Sequence, residues 1–149
     1  MEDTVFMKAA IEAGKQVEGR TGDNPPVGAV VVCQGKIIAT GATQPPGGHH
    51  AEVMAVQAAE VGGYKISLCD FYVTLEPCSF QGRTPACSTM LVSRKPNRVV
   101  VGIRDPHPKV RGNGITELRE AGIEVVEGVL ADEISTMLAA WLSQFSKPA

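Results

Sequence analysis

Four side chains in two short groups could together perform a hydrolysis assisted by a metal ion. His50 and Glu52 are separated by one residue, and Cys78 and Cys87 follow with eight residues between them. Zinc in proteins binds thiolates and neutral imidazole, and a catalytic zinc site keeps one tetrahedral position open for water. His50, Cys78 and Cys87 would supply three ligands, while Glu52 would move protons beside the open position. The sequence therefore predicts a catalytic zinc centre with Glu52 as its general acid and base.

The predicted ligands lie at the ends of secondary-structure elements, where they can converge. Residues two apart do not share a face in mid-helix, so His50 and Glu52 can act together only in a first turn, where both project over the open end. Cys78 follows a predicted strand. Cys87 begins a predicted helix, whose positive end favours a thiolate there. One Zn²⁺ with two thiolates and one imidazole carries no net charge, which permits a partly buried site.

Helix and strand patterns alternate along the whole chain. Apolar periodicity, β-branched runs and Gly/Pro signals predict strands over 27–33, 37–38, 71–75, 98–103 and 123–126, and helices over 4–17, 50–61, 87–93, 115–121 and 131–145. Gln34-Gly35 predicts a hairpin turn, and the Gly- and Pro-rich stretch 41–48 predicts a loop. The alternation predicts an α/β fold, a three-layer α/β/α domain with a mixed five-stranded sheet whose antiparallel edge is the first hairpin.

Composition narrows the class of protein. With 149 residues, 44% of them hydrophobic, the chain fits a single domain over 1–149. The net charge of -2 and an aromatic content of 5% argue against nucleic acid or an anionic membrane as partner. The acidic start and the lack of a long apolar segment argue against a secretory signal or a membrane span, so a cytoplasmic location is expected. Four unevenly spaced cysteines are too few for a disulfide scaffold.

The segment 75–87 carries a family resemblance. It reads LEPCSFQGRTPAC and closely resembles the L-E-P-C-S-H-x-G-[KR]-T-P-P-C segment of the pyrimidine deaminase domain of riboflavin biosynthesis. The H-x-E pattern at 50–52 followed by Pro77-Cys78 is also the signature of zinc deaminases, although the usual second half, P-C-x-x-C, has a shorter cysteine spacing. Further matches cover almost the whole chain, in order at 24–25, 27–30, 47–48, 50–53, 105–106, 108, 121–123 and 128–130.

The resemblance implies a cytidine deaminase-like fold, Zn²⁺ as cofactor and hydrolytic removal of the 2-amino group from a diaminohydroxyphosphoribosylaminopyrimidine. Most bacteria fuse this domain to a reductase, and the present chain is expected to be the deaminase domain without the reductase domain. Relatives of the fold are commonly dimers or tetramers, so a homodimer or homotetramer is expected. The expected partner is a small amino-heterocycle, with no nucleic acid and no membrane.

Substrate contacts are expected from six positions in the matching segments: Asn24, Thr43, Phe80, Arg83, Asp105 and His107. Arg83 stands at the family's lysine or arginine position and would bind the sugar phosphate through its planar donor fork, although a solvated loop charge is the commoner fate of such a residue. Asn24 and Asp105 precede prolines and could simply form turns. Asp105 also follows a predicted buried strand, at the edge where α/β sheets usually bind ligands.

Three of these positions depart from the family, which usually has histidine at 43 and 80 and asparagine at 107. A phenyl ring at Phe80 removes a hydrogen-bonding group and adds a stacking surface, so substrate recognition is expected to differ while zinc chemistry stays. Since Arg83 is kept, an anionic heterocycle is expected.

Other interpretations remain open at this point. A diverged deaminase for another amino-heterocycle or nucleoside in a specialised pathway would explain the three departures. An inactive zinc-stabilised scaffold subunit is opposed by the intact Glu52, and a nucleic-acid deaminase by the acidic charge balance. Cys33 and Cys69 have no ligand partner at a suitable spacing and are expected to be small packing residues. The ring of His49 could face either solvent or substrate.

Overall fold

The computed structural model describes residues 2–22, 24–45, 48–78, 86–106 and 112–146. Its helices are α1 (Glu2–Lys15), α2 (Ala51–Val61), α3 (Cys87–Arg94), α4 (Asn113–Glu120), α5 (Ala131–Met137) and α6 (Ala139–Ser146), and its strands are β1 (Gly28–Cys33), β2 (Lys36–Ala42), β3 (Asp70–Leu75), β4 (Arg98–Ile103) and β5 (Glu124–Glu127). A short 3-10 turn spans Ile66–Leu68. Within this described part, none of the helices is both long enough and apolar enough to cross a membrane.

The five strands form one mixed sheet in the order β2-β1-β3-β4-β5. Strand β1 runs antiparallel to both β2 and β3, whereas β3, β4 and β5 run parallel to one another. Central strands β3 and β4 are buried along nearly their whole length, which is why both read as almost continuous apolar runs in the sequence. The predicted mixed five-stranded sheet with an antiparallel hairpin at its edge is confirmed.

Helices cover both faces of this sheet, and two glycines show which helix lies on which face. A Cβ at Gly28 of β1 would collide with the carbonyl oxygen of Ala10, so α1 packs directly on that face. A Cβ at Gly102 of β4 would collide with Ile134, which places α5 on the same face as α1 because Gly28 and Gly102 share the orientation of the pleat.

The opposite face carries α2. Gly41 of β2 pairs with Ala29 of β1, and a Cβ at Gly41 would collide with backbone atoms of Ala51 and Ala55. Helix α3 continues this layer in contact with α2 and α4, and α4 contacts β5. The three-layer α/β/α arrangement is confirmed.

Most predicted elements are present with small shifts of their ends, and two predictions were wrong. The predicted loop 41–48 overlaps the last two residues of β2, because Gly41 and Ala42 still pair with β1. The predicted terminal helix 131–145 is two helices, which meet at Leu138. Leu138 is fully buried and has φ -94° and ψ 10°, outside the helical range.

The segments that carry the predicted site lie at one edge of the sheet, which is formed by strand ends and not by an edge strand. The carboxyl ends of β3 and β4 meet there with the start of β1 and the end of β2. The buried hydroxyl of Thr74 accepts a hydrogen bond from the Gly28 amide at 3.2 Å and ties these strands together at this edge. Cys78 and Asp105 follow β3 and β4, so both lie at this edge, where open α/β sheets bind their ligands.

The opposite edge is held by a cluster of polar side chains around Asp3. The Arg98 guanidinium donates two hydrogen bonds to the Asp3 carboxylate, at 3.0 and 2.8 Å, and the Tyr72 hydroxyl donates a third at 2.6 Å. The hydrogen bonds from Arg98, more than any other contact, hold the pKa of Asp3 below its usual value of 3.8. The cluster attaches α1 to β3 and β4.

Replacing Asp3 by asparagine should lower the free energy of unfolding at pH 7 by about 1–2 kcal/mol. The reason is that the partly exposed hydrogen bonds from Arg98 and Tyr72 lose their charged acceptor. The folded-state pKa of Asp3 is lowered, so this contribution is complete above pH 3.8 and disappears as the pH falls through the folded value. Urea unfolding of both proteins across this range measures the difference, and a difference that stayed constant down to the lowest pH would contradict this assignment.

Candidate metal centre

Three donor atoms from separate elements come together beside the start of α2. They are His50 Nδ1, Cys78 Sγ and Cys87 Sγ, which all lie within 4.8 Å of one another. The distances from His50 Nδ1 are 3.7 Å to Cys78 Sγ and 3.4 Å to Cys87 Sγ. In tetrahedral zinc sites, Zn–S bonds near 2.3 Å and Zn–N bonds near 2.0 Å place such donors roughly 3.5 Å apart. The donor set therefore fits a zinc ion in both chemistry and spacing.

His50 is placed by the helix that it precedes and by the loop that leads to it. It is the N-cap of α2, with extended backbone angles of φ -73° and ψ 163° and no side-chain capping bond, so its ring is available to the cysteines. Gln44 closes the loop before it, since its side chain accepts from the His49 amide at 3.0 Å and its own amide donates to the His49 carbonyl at 3.1 Å. The tight contact at Gly41 then fixes where α2 begins.

The two cysteines are tied to each other through backbone groups. The Cys87 amide donates to Cys78 Sγ at 3.2 Å, and the Ser88 amide donates to the Cys78 carbonyl at 3.0 Å. Ser88 is fully buried and its hydroxyl donates to Glu117 of α4 at 2.7 Å, which fastens the start of α3 to the neighbouring helix. Cys78 and Cys87 are thus held in place by the first turn of α3.

The electrostatics of the cluster favour a thiolate at Cys78 rather than at Cys87. Hydrogen bonds from the Cys87 thiol, the His50 ring and the Cys87 amide lower the pKa of Cys78 to about 4. The pKa of Cys87 is raised, first by its bond to Cys78 and then by burial. The first amide of α3 donates to Cys78 Sγ, so this helix start stabilises a thiolate at Cys78 directly. A divalent cation would stabilise both sulfurs as thiolates at once.

Glu52 lies in the first turn of α2 with only 4% of its surface exposed. Burial is the main reason that its pKa is raised to about 7, and the charge of Cys78 acts in the same direction. It forms no part of the group of donors that could hold a metal. A buried carboxyl group beside the donors, but outside the ligand set, has the placement expected of a proton carrier.

Three of the six predicted substrate residues are described, and all follow or precede strand ends at the same edge. Asn24 is exposed, and its backbone forms a turn with Thr21. Thr43 is buried, and its hydroxyl donates to the Pro25 carbonyl and accepts from the Val27 amide, each at 3.0 Å. The half-buried Asp105 donates its amide to Glu76 at 3.1 Å. Phe80, Arg83 and His107 lie outside the described residues.

Two residues near the centre were not singled out from the sequence. Gln44 is one, and its loop contacts have no sequence signal. The other is Glu76, which is 2% exposed and, among the described residues, accepts hydrogen bonds from three backbone amides. An acidic residue placed directly after a buried strand and before proline was the available signal for it.

The two remaining cysteines lie apart from the donor cluster. Cys69 is buried and its thiol donates to the Lys65 carbonyl at 3.2 Å, while Cys33 is half-buried at the end of β1. Burial, before any other cause, raises the pKa of Cys69 to about 12. Both therefore behave as the small packing residues expected from the sequence. His49 is exposed.

Comparison with known proteins places the centre in a family. Residues 1–103 match the family model described as the cytidine and deoxycytidylate deaminase zinc-binding region. This region contains all three donor residues and Glu52.

Relatives give a finer likeness. The chain is 44% identical over 137 residues to riboflavin biosynthesis protein RibD of Actinobacillus pleuropneumoniae, covering 92% of this chain and 36% of that protein. It is 43% identical over 133 residues to the diaminohydroxyphosphoribosylamino-pyrimidine deaminase of Buchnera aphidicola, covering 89% of this chain and 88% of that protein. A crystal structure of the deaminase/reductase from Thermotoga maritima superposes with a TM-score of 0.92 at 43% identity, over 97% of this chain and 41% of that one.

Metal analysis should find about one zinc per chain, and the ligand set predicts which cysteine matters. A Cys87→Ser variant should lose most of its zinc, because serine offers no thiolate. A Cys33→Ser, Cys69→Ser double variant removes two thiols outside the donor cluster and should keep its metal. The reverse result would overturn the assignment of the ligands.

Proposed function

Because this chain belongs to the zinc-binding cytidine and deoxycytidylate deaminase family, we propose that residues 1–149 form a zinc-dependent hydrolytic deaminase whose substrate is the diaminohydroxyphosphoribosylaminopyrimidine of riboflavin biosynthesis. The observation that carries this proposal is the convergence of His50, Cys78 and Cys87 beside the buried Glu52. A zinc ion held there would leave one position for water and make that water a nucleophile at neutral pH.

The chain's own residues then have defined tasks. Water adds to the ring carbon that bears the amino group, and the Glu52 carboxylate takes a proton from it and passes that proton to the adjacent ring nitrogen. Glu52 next moves the remaining hydroxyl proton to the amino group, which leaves as ammonia while the carbon becomes a carbonyl. Burial of Glu52 at the start of α2 excludes bulk water from this proton path. The net reaction consumes one water and releases one ammonia.

The choice of substrate rests on the relatives. The Buchnera relative, which this chain matches over 88% of its length, carries the name of the pyrimidine deaminase itself. The Actinobacillus relative is matched over only 36% of its length, so this chain corresponds to about a third of that protein. A homodimeric or homotetrameric assembly is part of the proposal, and light scattering measures it.

A second candidate is a deaminase for another anionic amino-heterocycle, and Thr43 favours it. The hydroxyl of Thr43 is bonded to the backbone of Pro25 and Val27, which uses its hydrogen-bonding capacity in the segment that precedes β1. The imidazole that the family usually has at this position could reach further. An ammonia-release screen over amino-pyrimidines, pterins and nucleosides distinguishes the two candidates.

Substituting Glu52 by glutamine should lower turnover by at least about 100-fold, because positioned proton transfer typically contributes that much and an amide cannot carry the proton. Zinc content and the unfolding midpoint should stay near those of the wild type. Glu60, an exposed residue on the same helix, provides the matched control, and Glu60→Gln should keep full turnover. Near-normal activity of Glu52→Gln would remove Glu52 from the mechanism, and a wild type inactive on every substrate would favour the scaffold interpretation.

Removing the guanidinium of Arg83 tests whether the substrate is anionic. For the phosphoribosyl pyrimidine, Arg83→Ala should lower kcat/KM by roughly 10- to 150-fold, the equivalent of a lost charged hydrogen bond of about 1.5–3 kcal/mol. The dephosphorylated form should be a poor substrate in wild type and should be unaffected by the variant. Arg94, an exposed arginine in the last turn of α3, serves as the control. Equal rates on both forms, unchanged in Arg83→Ala, would rule out an anionic substrate.

A further inference from the structure

Within the part of the chain that the structure describes, the buried carboxylate of Glu76 binds three backbone amides that are distant in sequence. Its Oε1 accepts from the Asp105 amide at 3.1 Å and from the Gly112 amide at 2.9 Å, and its Oε2 accepts from the Ile115 amide at 3.2 Å. Only 2% of Glu76 is exposed, so these bonds are shielded from water. A charged acceptor shared by several amides in a buried position is a strong and directional anchor.

The same anchor lies next to a zinc ligand in the chain. Glu76 leads into Pro77 and Cys78, and its own amide donates to the Ile103 carbonyl at 2.9 Å, which extends the pairing of β3 with β4 by one residue. A Cβ at Gly114 of α4 would collide with the Pro77 carbonyl oxygen, so α4 lies directly against this turn. Glu76 therefore connects the zinc-ligand turn with the end of β4 and the first turn of α4.

We propose that Glu76 is a positioning residue for deamination, which holds Asp105 and the start of α4 at a fixed place relative to Cys78. This proposal rests on the proposed function, because Asp105 is a candidate substrate contact of the proposed deaminase. The carboxylate also occupies the positive end of α4, where an anion is stabilised. Through these bonds Asp105 and the start of α4 keep a fixed position relative to the metal ligands.

A purely structural role would have different consequences. A side chain that only stabilises the fold changes the unfolding midpoint, while the zinc-loaded folded molecules keep their KM and kcat. A positioning residue changes substrate binding in molecules that are folded and zinc-loaded, because small displacements of a binding group are costly. Weaker binding with little change in kcat is the expected signature, since Glu52 and the ligands are untouched.

The test compares zinc-loaded Glu76→Gln with Asp3→Asn. Asp3 anchors α1 at the opposite edge of the sheet, so its variant loses stability without reaching the centre. Hydrogen–deuterium exchange of the amides at 105, 112 and 115 should be about 10-fold faster or more in Glu76→Gln, because glutamine presents an N–H group to one of these donors. Exchange at these amides in Asp3→Asn, taken relative to its global unfolding, should match wild type.

Kinetics on the phosphoribosyl pyrimidine complete the test. In Glu76→Gln we expect KM to rise by about 10-fold, kcat to change by less than about 3-fold and zinc to stay near one per chain. Unchanged exchange at the three amides, or unchanged KM with faster exchange, would overturn the proposal. Loss of zinc with a normal KM in the loaded fraction would also overturn it, by assigning Glu76 to metal retention. If wild type did not turn over this pyrimidine, the proposed function would fail, and the exchange data would still decide whether Glu76 holds these amides.

Discussion

Close contact between α2 and β2 at Gly41 is the constraint on which the centre depends. A side chain at this position would collide with the backbone of Ala51 and Ala55, so only glycine allows the helix to lie this near the sheet. The helix start carries His50 and Glu52, whereas Cys78 belongs to the end of β3. Strand β1 lies between β2 and β3 and sets their spacing through its two registers. The close approach of α2 to Gly41 on the edge strand β2 thereby determines whether the imidazole of His50 can share one ion with the thiolate of Cys78, which follows β3 two strands away.

A second constraint is electrostatic. The centre brings two thiols, an imidazole and a carboxyl group into a largely buried space, and each would be costly there in its charged form without compensation. Hydrogen bonds lower the pKa of Cys78, and burial raises that of Glu52. The pKa of Cys87 is raised by its hydrogen bond to Cys78 and then by burial. A divalent cation would reinforce the thiolate at Cys78 and reverse the preference for a thiol at Cys87, because it binds thiolates directly. Stability of this region and metal binding are consequently linked, as in other small metal centres.

Features that depend on neighbouring residues in the sequence could be predicted, whereas features that depend on contacts with a separate segment could not. Strand β4 was predicted with its observed bounds because a buried parallel strand has an unmistakable apolar run. The residues of the centre were predictable because H-x-E and Pro-Cys are local patterns at element ends. Gly41 was predicted to lie in a loop, because glycine is rare in strands. A glycine is required in the strand here because helix α2, which comes later in the chain, packs against this position. The break at Leu138 and the turn Ile66–Leu68 have no local signal that distinguishes them from continuous structure.

Roles that depend on hydrogen bonds between distant segments could not be predicted from the sequence. For this reason the sequence predicts the metal chemistry more closely than the substrate. Thr43 is expected to contact substrate, and the hydrogen bonds of its hydroxyl to a segment 16–18 residues earlier have no sequence signal. Glu76 was quoted as part of a motif, yet its partners lie 29, 36 and 39 residues further on. In both cases the residue type is compatible with several tasks, and the hydrogen bonds that it forms depend on the fold. The groups that could hold the metal are specified by short motifs, whereas the groups around them are positioned by contacts between distant segments.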